Sequence, residues 1–102
     1  MKVRQLANKN QFIMEDNKEI IFQSYNSVIA IYGKEKDVLV LGCDWDYSKT
    51  TLKHLYIFID EELPYYMPLV KQLQETRNTN NRRLAIQKLI DNGTIQYSDK
   101  LQ

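Results

Sequence analysis

The sequence predicts an α+β fold, with an N-terminal antiparallel β-meander of three or four strands followed by two or three helices packed on one face. The first 41 residues hold β-branched and aromatic runs separated by polar turns, which is typical of a meander. From residue 49 onward, apolar residues recur every three or four positions, as on one side of a helix. With 102 residues, 43% of them hydrophobic, we expect a single domain spanning residues 1–102.

The strand signals fall in three segments. The segment Gln11–Glu15 predicts a short strand that enters a hairpin. The run 20–32 is rich in β-branched and aromatic residues but is long for one strand, so its polar patch from Ser24 to Ser27 is a bulge, a bend or a turn. The register of this run decides which of its faces meets the helices. The next strand is Val38–Leu41, and Gly42 ends it.

The clearest helical pattern begins at Ser48, a natural N-cap residue, and ends before Pro64. In the loop before it, Trp45 is expected to fill one end of the core. The residues on the predicted buried side of this helix share a spacing of three or four positions. They are Leu52, Leu55, Tyr56, Ile59 and Leu63.

Two further helices follow in the pattern. The second runs from Tyr65 or Pro68 to Glu75, and the third starts near Asn81. Gly93 stands where a left-handed C-cap would lie, and residues 94–97 could return as a last short strand. The residues expected to point inward are Leu69, Val70 and Leu73 in the second helix and Ala85, Ile86, Leu89 and Ile90 in the third.

Composition excludes several classes of function. The chain has one cysteine and three glycines, which provide neither a disulfide, nor a zinc site, nor a glycine-rich phosphate loop. It contains no run of about 18 apolar residues, so no membrane span is expected. Its polar start lacks the apolar core of a secretory leader, which together with the lone thiol predicts a cytoplasmic protein.

Two segments of the chain resemble a known group of proteins. Residues 22–30 (FQSYNSVIA) follow the pattern F-x-S-Y-x-S/T-x-I-A, and residues 45–55 (WDYSKTTLKHL) carry an aromatic residue followed by S-x-T-T-x-K/R-H and an aliphatic residue. Both segments are similar to those of small uncharacterised proteins from bacteriophages and mobile elements of low-GC Gram-positive bacteria. The resemblance covers residues 20–60 and implies a phage origin and a compact α+β fold. The group has no established catalytic residues, so none is assigned here.

No recognisable catalytic constellation is present, and we expect a non-enzymatic protein without cofactor or metal. His54 is the only histidine, and the nucleophile types Cys43 and Ser48 lie in no known nucleophile motif. We therefore interpret His54 as a half-buried helix residue bonded to the loop. The acidic residues between 44 and 62 form no D-x-D-x-D-G loop for a divalent cation.

The start of the first helix admits two interpretations. Ser48, Thr50 and Thr51 surround free backbone N–H groups, which attract anions. The same hydroxyl groups can instead cap the helix and hold the preceding loop. Asp44 and Asp46 would repel an anion, which favours the capped helix start.

Surplus apolar and acidic side chains predict a surface that binds another protein. Tyr65, Tyr66 and Met67 are adjacent and cannot all point inward, and Ile57 falls among polar residues. Residues 41–63 carry two basic and five acidic residues, a charge that would suit a basic groove on a partner. The partner contacts predicted on this basis are Ile57, Asp60, Glu61, Glu62, Tyr65 and Tyr66.

A second hypothesis is a small nucleic-acid-binding regulator. Residues 64–90 carry five basic residues and one acidic residue, a pattern that favours contact with a phosphate backbone. The sequence pI of about 7.8 is well below that of most nucleic-acid-binding domains. The residues that would make the contact are Arg77, Arg82, Arg83 and Lys88.

We therefore expect a phage-type accessory protein that binds a host or phage protein in the host cytoplasm. Inhibition of a bacterial defence or replication factor is the role we consider first, and nucleic-acid binding is the alternative. The chain could also form a homodimer, because its exposed apolar residues could meet a second copy as well as a different protein.

Overall fold

A computed structural model describes residues 2–6, 10–76 and 82–101, and within them the fold is α+β, as predicted. Strands β1 to β5 are followed by three helices and then by β6, and the six strands form one sheet in the order β1-β2-β3-β4-β5-β6. Neighbouring strands are antiparallel, except that β6 runs parallel to β5. The strands are β1 (Lys2–Gln5), β2 (Gln11–Glu15), β3 (Glu19–Ser24), β4 (Ser27–Gly33), β5 (Val38–Leu41) and β6 (Gln96–Tyr97), and the helices are α1 (Lys49–Glu62), α2 (Met67–Thr76) and α3 (Arg82–Asp91).

The sheet described here has six strands, so the predicted number of three or four is wrong. The four central strands β2 to β5 lie where the sequence predicts them. All four residues of β1 are exposed. The strand therefore lacks the alternation of buried and exposed side chains by which a strand is recognised. Strand β6 has only two residues and is held by its pairing with β5, which brings Gln96 opposite Val40.

The long run 20–32 is divided by a two-residue turn at Tyr25 and Asn26, where Tyr25 has a φ of 53°. This turn separates β3 from β4 and places Ser24 opposite Ser27. The register also shifts between Phe22 and Gln23, which marks a β-bulge within the same hairpin. The polar patch therefore forms a turn, with a bulge close to it.

Helix α1 covers one face of the sheet, and the core lies between them. Phe22 of β3 stacks on Phe58 of α1 with ring centroids 5.5 Å apart. Trp45, in the loop before α1, is buried as predicted. Of the predicted stripe on α1, Leu55, Ile59 and Leu63 are buried, whereas Leu52 and Tyr56 are partly buried against the core.

The other two helices complete the core. In α2 the buried residues include Val70, whereas Leu69 is 41% exposed, so its predicted inward position is wrong. Successive helical residues are about 100° apart, and α2 turns its Met67 and Val70 side toward the core. In α3 the buried residues are Ala85, Ile86 and Leu89, as predicted, and Ile90 is partly buried. Gly93 follows with a φ of 84°, the left-handed conformation predicted for it.

The face of the sheet turned away from the helices, here called the outer face, is largely apolar. Direct cross-strand pairs join five apolar residues into one row, because residues opposite each other project on the same side. We call this set the outer row. It comprises Val3, Met14, Ile21, Ile31 and Val40, one residue from each of β1 to β5.

Candidate binding site

The two sequence segments that carry the resemblance meet at one end of the sheet. The β3–β4 turn lies beside the loop that leads from β5 into α1. Ser27 donates a hydrogen bond from its hydroxyl to Asp44 Oδ2 at 3.0 Å, and the Gly42 N–H donates to the Ile29 carbonyl at 2.8 Å. These contacts hold the two segments together, although Ser27 and Asp44 are 17 residues apart in the sequence.

A cavity of about 570 Å³ opens between these two segments, and we call it the two-motif cavity. Hydroxyl and amide side chains make up much of its wall. The carboxylate of Asp44 is the only charged group among its lining residues. The wall is formed by Ser24, Tyr25, Asn26, Ser27 and Ile29 on one side and by Asp44, Tyr47, Ser48, Thr50 and Thr51 on the other.

The N-terminus of α1 forms one wall of the cavity and is capped by its own side chains. Ser48 has extended backbone geometry, and its Oγ accepts a hydrogen bond from the Thr51 N–H at 3.1 Å. The same oxygen lies 3.1 Å from Thr51 Oγ1. The capped helix start predicted from the sequence is therefore present, and its hydroxyl groups face a cavity.

Two tyrosines stand at this cavity with most of their surface exposed. Tyr47 is 79% exposed and Tyr25 is 59% exposed, the highest values among the aromatic residues of the chain. By contrast Ser24, directly opposite Ser27, is buried, and its hydroxyl has no hydrogen-bond partner among the described residues. Gln11, paired with Ser24 across β2 and β3, likewise has an unpartnered Oε1. A polar interior thus lies behind an aromatic rim.

The acidic part of the predicted partner surface is only partly available. Asp60 and Glu61 are exposed near the end of α1, as expected. Glu62 instead pairs with Arg4 of β1, and that ion pair joins the end of α1 to the edge of the sheet. Ile57 is partly buried against the core, so it is less exposed than expected.

The two tyrosines of the predicted surface have different environments. Tyr66 is buried, so it cannot serve as the exposed contact predicted for it. Tyr65 is 50% exposed, and its hydroxyl oxygen lies 2.5 Å from both Asp37 Oδ1 and the hydroxyl oxygen of Tyr32. Because α1 spans about 21 Å, these residues lie at the opposite end of the molecule from the two-motif cavity.

The Asp37 cluster makes stability depend on pH. Hydrogen bonds from Tyr32 and then Tyr65 lower the pKa of Asp37 below its usual value of 3.8. A carboxyl group with a lowered pKa in the folded protein contributes stability above its unfolded pKa, and loses it as the pH falls through the folded pKa. We expect Asp37→Asn to destabilise the protein at pH 7, measured by urea unfolding, and the difference from wild type to shrink below pH 3.8. A difference that stays constant down to pH 2 would contradict this.

Two basic residues of the nucleic-acid hypothesis, Arg82 and Arg83, are engaged in contacts within the chain. Arg82 lies over the Tyr56 ring at 5.4 Å, and burial raises the pKa of Tyr56 to about 12. Arg83 pairs with Asp46 at 2.7 Å and lies over the Trp45 ring at 5.8 Å. The adjacent arginines therefore contact different elements. Lys88 lies in the last turn of α3 and is partly buried, and Arg77 is outside the described residues.

The candidate catalytic residues are not joined to each other. His54 is buried rather than half-buried, and its Nδ1 lies 2.8 Å from the Thr50 carbonyl oxygen of its own helix, not of the loop. The hydroxyl of Ser48 bonds to Thr51, while the exposed Cys43 lies with its Sγ 3.9 Å from Asp44. Within the described ranges, no three His, Cys, Asp or Glu side chains form a group that could hold a metal ion. None of the described helices combines the length and apolar character needed to cross a membrane.

The fold and the cavity define a small α+β domain with an exposed aromatic site at one end of its sheet. Residues 1–67 match the model of a family of unknown function (DUF8033), and the chain belongs to that family. No curated protein and no solved structure matches the chain. The family match includes both segments that form the two-motif cavity.

Proposed function

We propose that this is a non-enzymatic accessory protein that binds a host or phage protein through the two-motif cavity. The observation that carries the proposal is the pair of exposed tyrosines, Tyr25 and Tyr47, at a cavity lined by hydrogen-bonding groups. Binding energy at protein interfaces is concentrated in a few residues, and tyrosine is among the types most often found there. A pocket beside such anchors can accept a side chain of the partner.

The residues that line the two-motif cavity favour binding of a basic side chain of the partner. Asp44 supplies the one negative charge among the lining residues. A guanidinium or ammonium group can bind a carboxylate through charge-assisted hydrogen bonds and stack on a tyrosine ring. Hydroxyl oxygens such as that of Ser48 provide further acceptors. The partner therefore presents an arginine or lysine to this end of the sheet.

The biological role that we propose is inhibition of a bacterial defence or replication factor in the host cytoplasm. This role follows from the resemblance of residues 20–60 to small phage proteins. Nucleic-acid binding is the second candidate. It is less well supported, because Arg82 and Arg83 are engaged in separate contacts within the chain.

Capture from a lysate of a low-GC Gram-positive bacterium tests the proposal. Tagged wild-type protein is compared with a Tyr25→Ala/Tyr47→Ala double variant, with and without nuclease, and retained proteins are identified by mass spectrometry. Loss of two anchor tyrosines costs at least about 2 kcal/mol, or about 30-fold in affinity. We expect one protein to be retained after nuclease treatment by the wild type and to be lost with the double variant.

The matched control is Tyr97→Ala, because Tyr97 is 49% exposed but does not line the two-motif cavity. This variant should retain the partner at the wild-type level. An Asp44→Asn variant should weaken capture if the partner supplies a basic group. A partner held equally by the double variant would disprove the proposed site, and partners that vanish with nuclease would favour the nucleic-acid alternative.

A further inference from the structure

The outer face of the sheet carries a continuous apolar surface that crosses five strands. The outer row spans four gaps between strands, which is about 19 Å at the usual strand spacing. Phe12 and Val28 flank the row on one side, since both are paired with Gln23, and Val38 lies on the other side opposite Gly33. Eight apolar side chains therefore share this face.

Nothing in the described part of the chain packs these side chains into the core. The hydrophobic cluster between sheet and helices takes its strand residues from the inner face and the β-bulge, such as Phe22, Ile29 and Leu39. Val3, at one end of the outer row, is 61% exposed. A sheet with helices on only one side ordinarily places polar residues on the other. An apolar face of this size is typical of a protein–protein interface.

The charge on this face favours a second copy of the same chain as the cover. Among the outer-face positions of β1 to β5, Glu19 alone is charged. Two such faces bring only Glu19 of each copy as a like charge, and a strongly charged partner would find little complement here. The flanking polar residues, Gln5 and Gln23, are uncharged amides that can donate and accept hydrogen bonds to their own copies.

The geometry also suits a symmetric pair. In a β-sandwich two sheets pack face to face about 10 Å apart, and their side chains interdigitate. A two-fold axis through the centre of the outer row, near Ile21, would place each row against its copy, as a symmetric dimer interface requires. A standard interface buries about 800 Å² of each partner, a modest share of the 6353 Å² accessible surface of this chain. One whole face of a five-stranded sheet is of that order.

We propose that the protein is a homodimer formed by packing the outer faces of two sheets against each other. The outer row is the centre of the interface, and Gln5, Glu19 and Gln23 lie near its rim. This arrangement leaves the two-motif cavity of each copy open, because the cavity lies at the end of the sheet on the α1 side. The dimer therefore carries two partner sites.

Sedimentation equilibrium of the purified chain tests the proposal without any partner. Wild-type protein should have twice the 12.2 kDa mass of the chain at about 100 μM. Ile31→Lys places a charge one strand from the centre of the interface on each copy, so we expect the dimer dissociation constant to rise at least about 100-fold. The lysine stem can lie along the sheet with its charge in water, which lets the monomer keep its fold. Circular dichroism checks that fold.

Two further variants complete the design. Ile31→Thr keeps the β-branched shape and should raise the dissociation constant less than lysine does. It takes the place of the lysine variant if that variant fails to fold. Leu69→Lys is the matched control, because Leu69 is an exposed apolar residue of α2 and should leave the dimer intact. A wild-type monomer up to about 500 μM would overturn the proposal, as would folded Ile31 variants that remain dimeric. Tyr25→Ala/Tyr47→Ala should stay dimeric, which separates this result from the partner-binding test.

Discussion

Replacing Phe58 with alanine is expected to lower the free energy of unfolding by about 3–5 kcal/mol. Phe58 is fully buried in α1 and stacks on Phe22 of β3 with an interplanar angle of 20°. Truncation removes a stacking contact between the first helix and the sheet and leaves a cavity in the core. A domain of this size has about 5–10 kcal/mol in total. The variant should therefore be close to unfolding at 37 °C.

Urea unfolding followed by circular dichroism measures this effect, with linear extrapolation to water. Leu69→Ala is the control, because Leu69 is 41% exposed and its truncation should change stability by no more than about 0.5 kcal/mol. A loss of less than about 1 kcal/mol for Phe58→Ala would mean that the helix does not depend on this stack.

Adding a single methyl group at Gly42 is expected to lower the free energy of unfolding by about 1–3 kcal/mol. A Cβ at this position would lie 2.9 Å from the Val28 carbonyl oxygen and 3.3 Å from Leu101 Cδ1. The leucine side chain can move, but the carbonyl belongs to β4. The Gly42 N–H also donates to the Ile29 carbonyl, which holds the two segments at this distance. Relief of the clash therefore requires separation of β4 from the loop that leads into α1.

Gly33→Ala is the matched control for Gly42→Ala. A Cβ at Gly33 would meet only the Val38 carbonyl oxygen, at an ordinary 3.9 Å. This variant should be within about 0.5 kcal/mol of wild type by the same urea measurement. Equal losses for the two substitutions would show that the effect at Gly42 comes from glycine's conformational freedom and not from the close approach to β4.

Elements whose determinants lie within a few residues were predictable. The start of α1 follows from Ser48 and the apolar spacing after it, and the left-handed Gly93 follows from its place just beyond α3. The buried position of Trp45 was also expected. Each of these predictions depends on a local rule of capping, periodicity or backbone conformation.

Features that depend on distant contacts were not predictable. Strand β1 has no strand pattern of its own and is held by pairing with β2 and by the ion pair between Arg4 and Glu62. Tyr65 and Tyr66 are adjacent aromatic residues, and the structure buries one and exposes the other. The cavity itself requires Asp44 and Ser27 to meet across the sheet end. The two motifs that line it could be recognised in the sequence, but the contact between them could not be predicted.

The α+β class, the order of the central strands and helices, and the approximate helix ends could be predicted, because these features follow from short-range patterns. The side of the sheet that forms the core depends on packing between distant elements. Ile20, Ile21 and Phe22 are consecutive and apolar, so β3 offers an apolar residue to each face of the sheet. A shift of one residue would exchange the two faces, and the stacking of Phe22 on Phe58 selects one of them. Ile21 is then turned to the outer face, where an apolar surface is left for another chain.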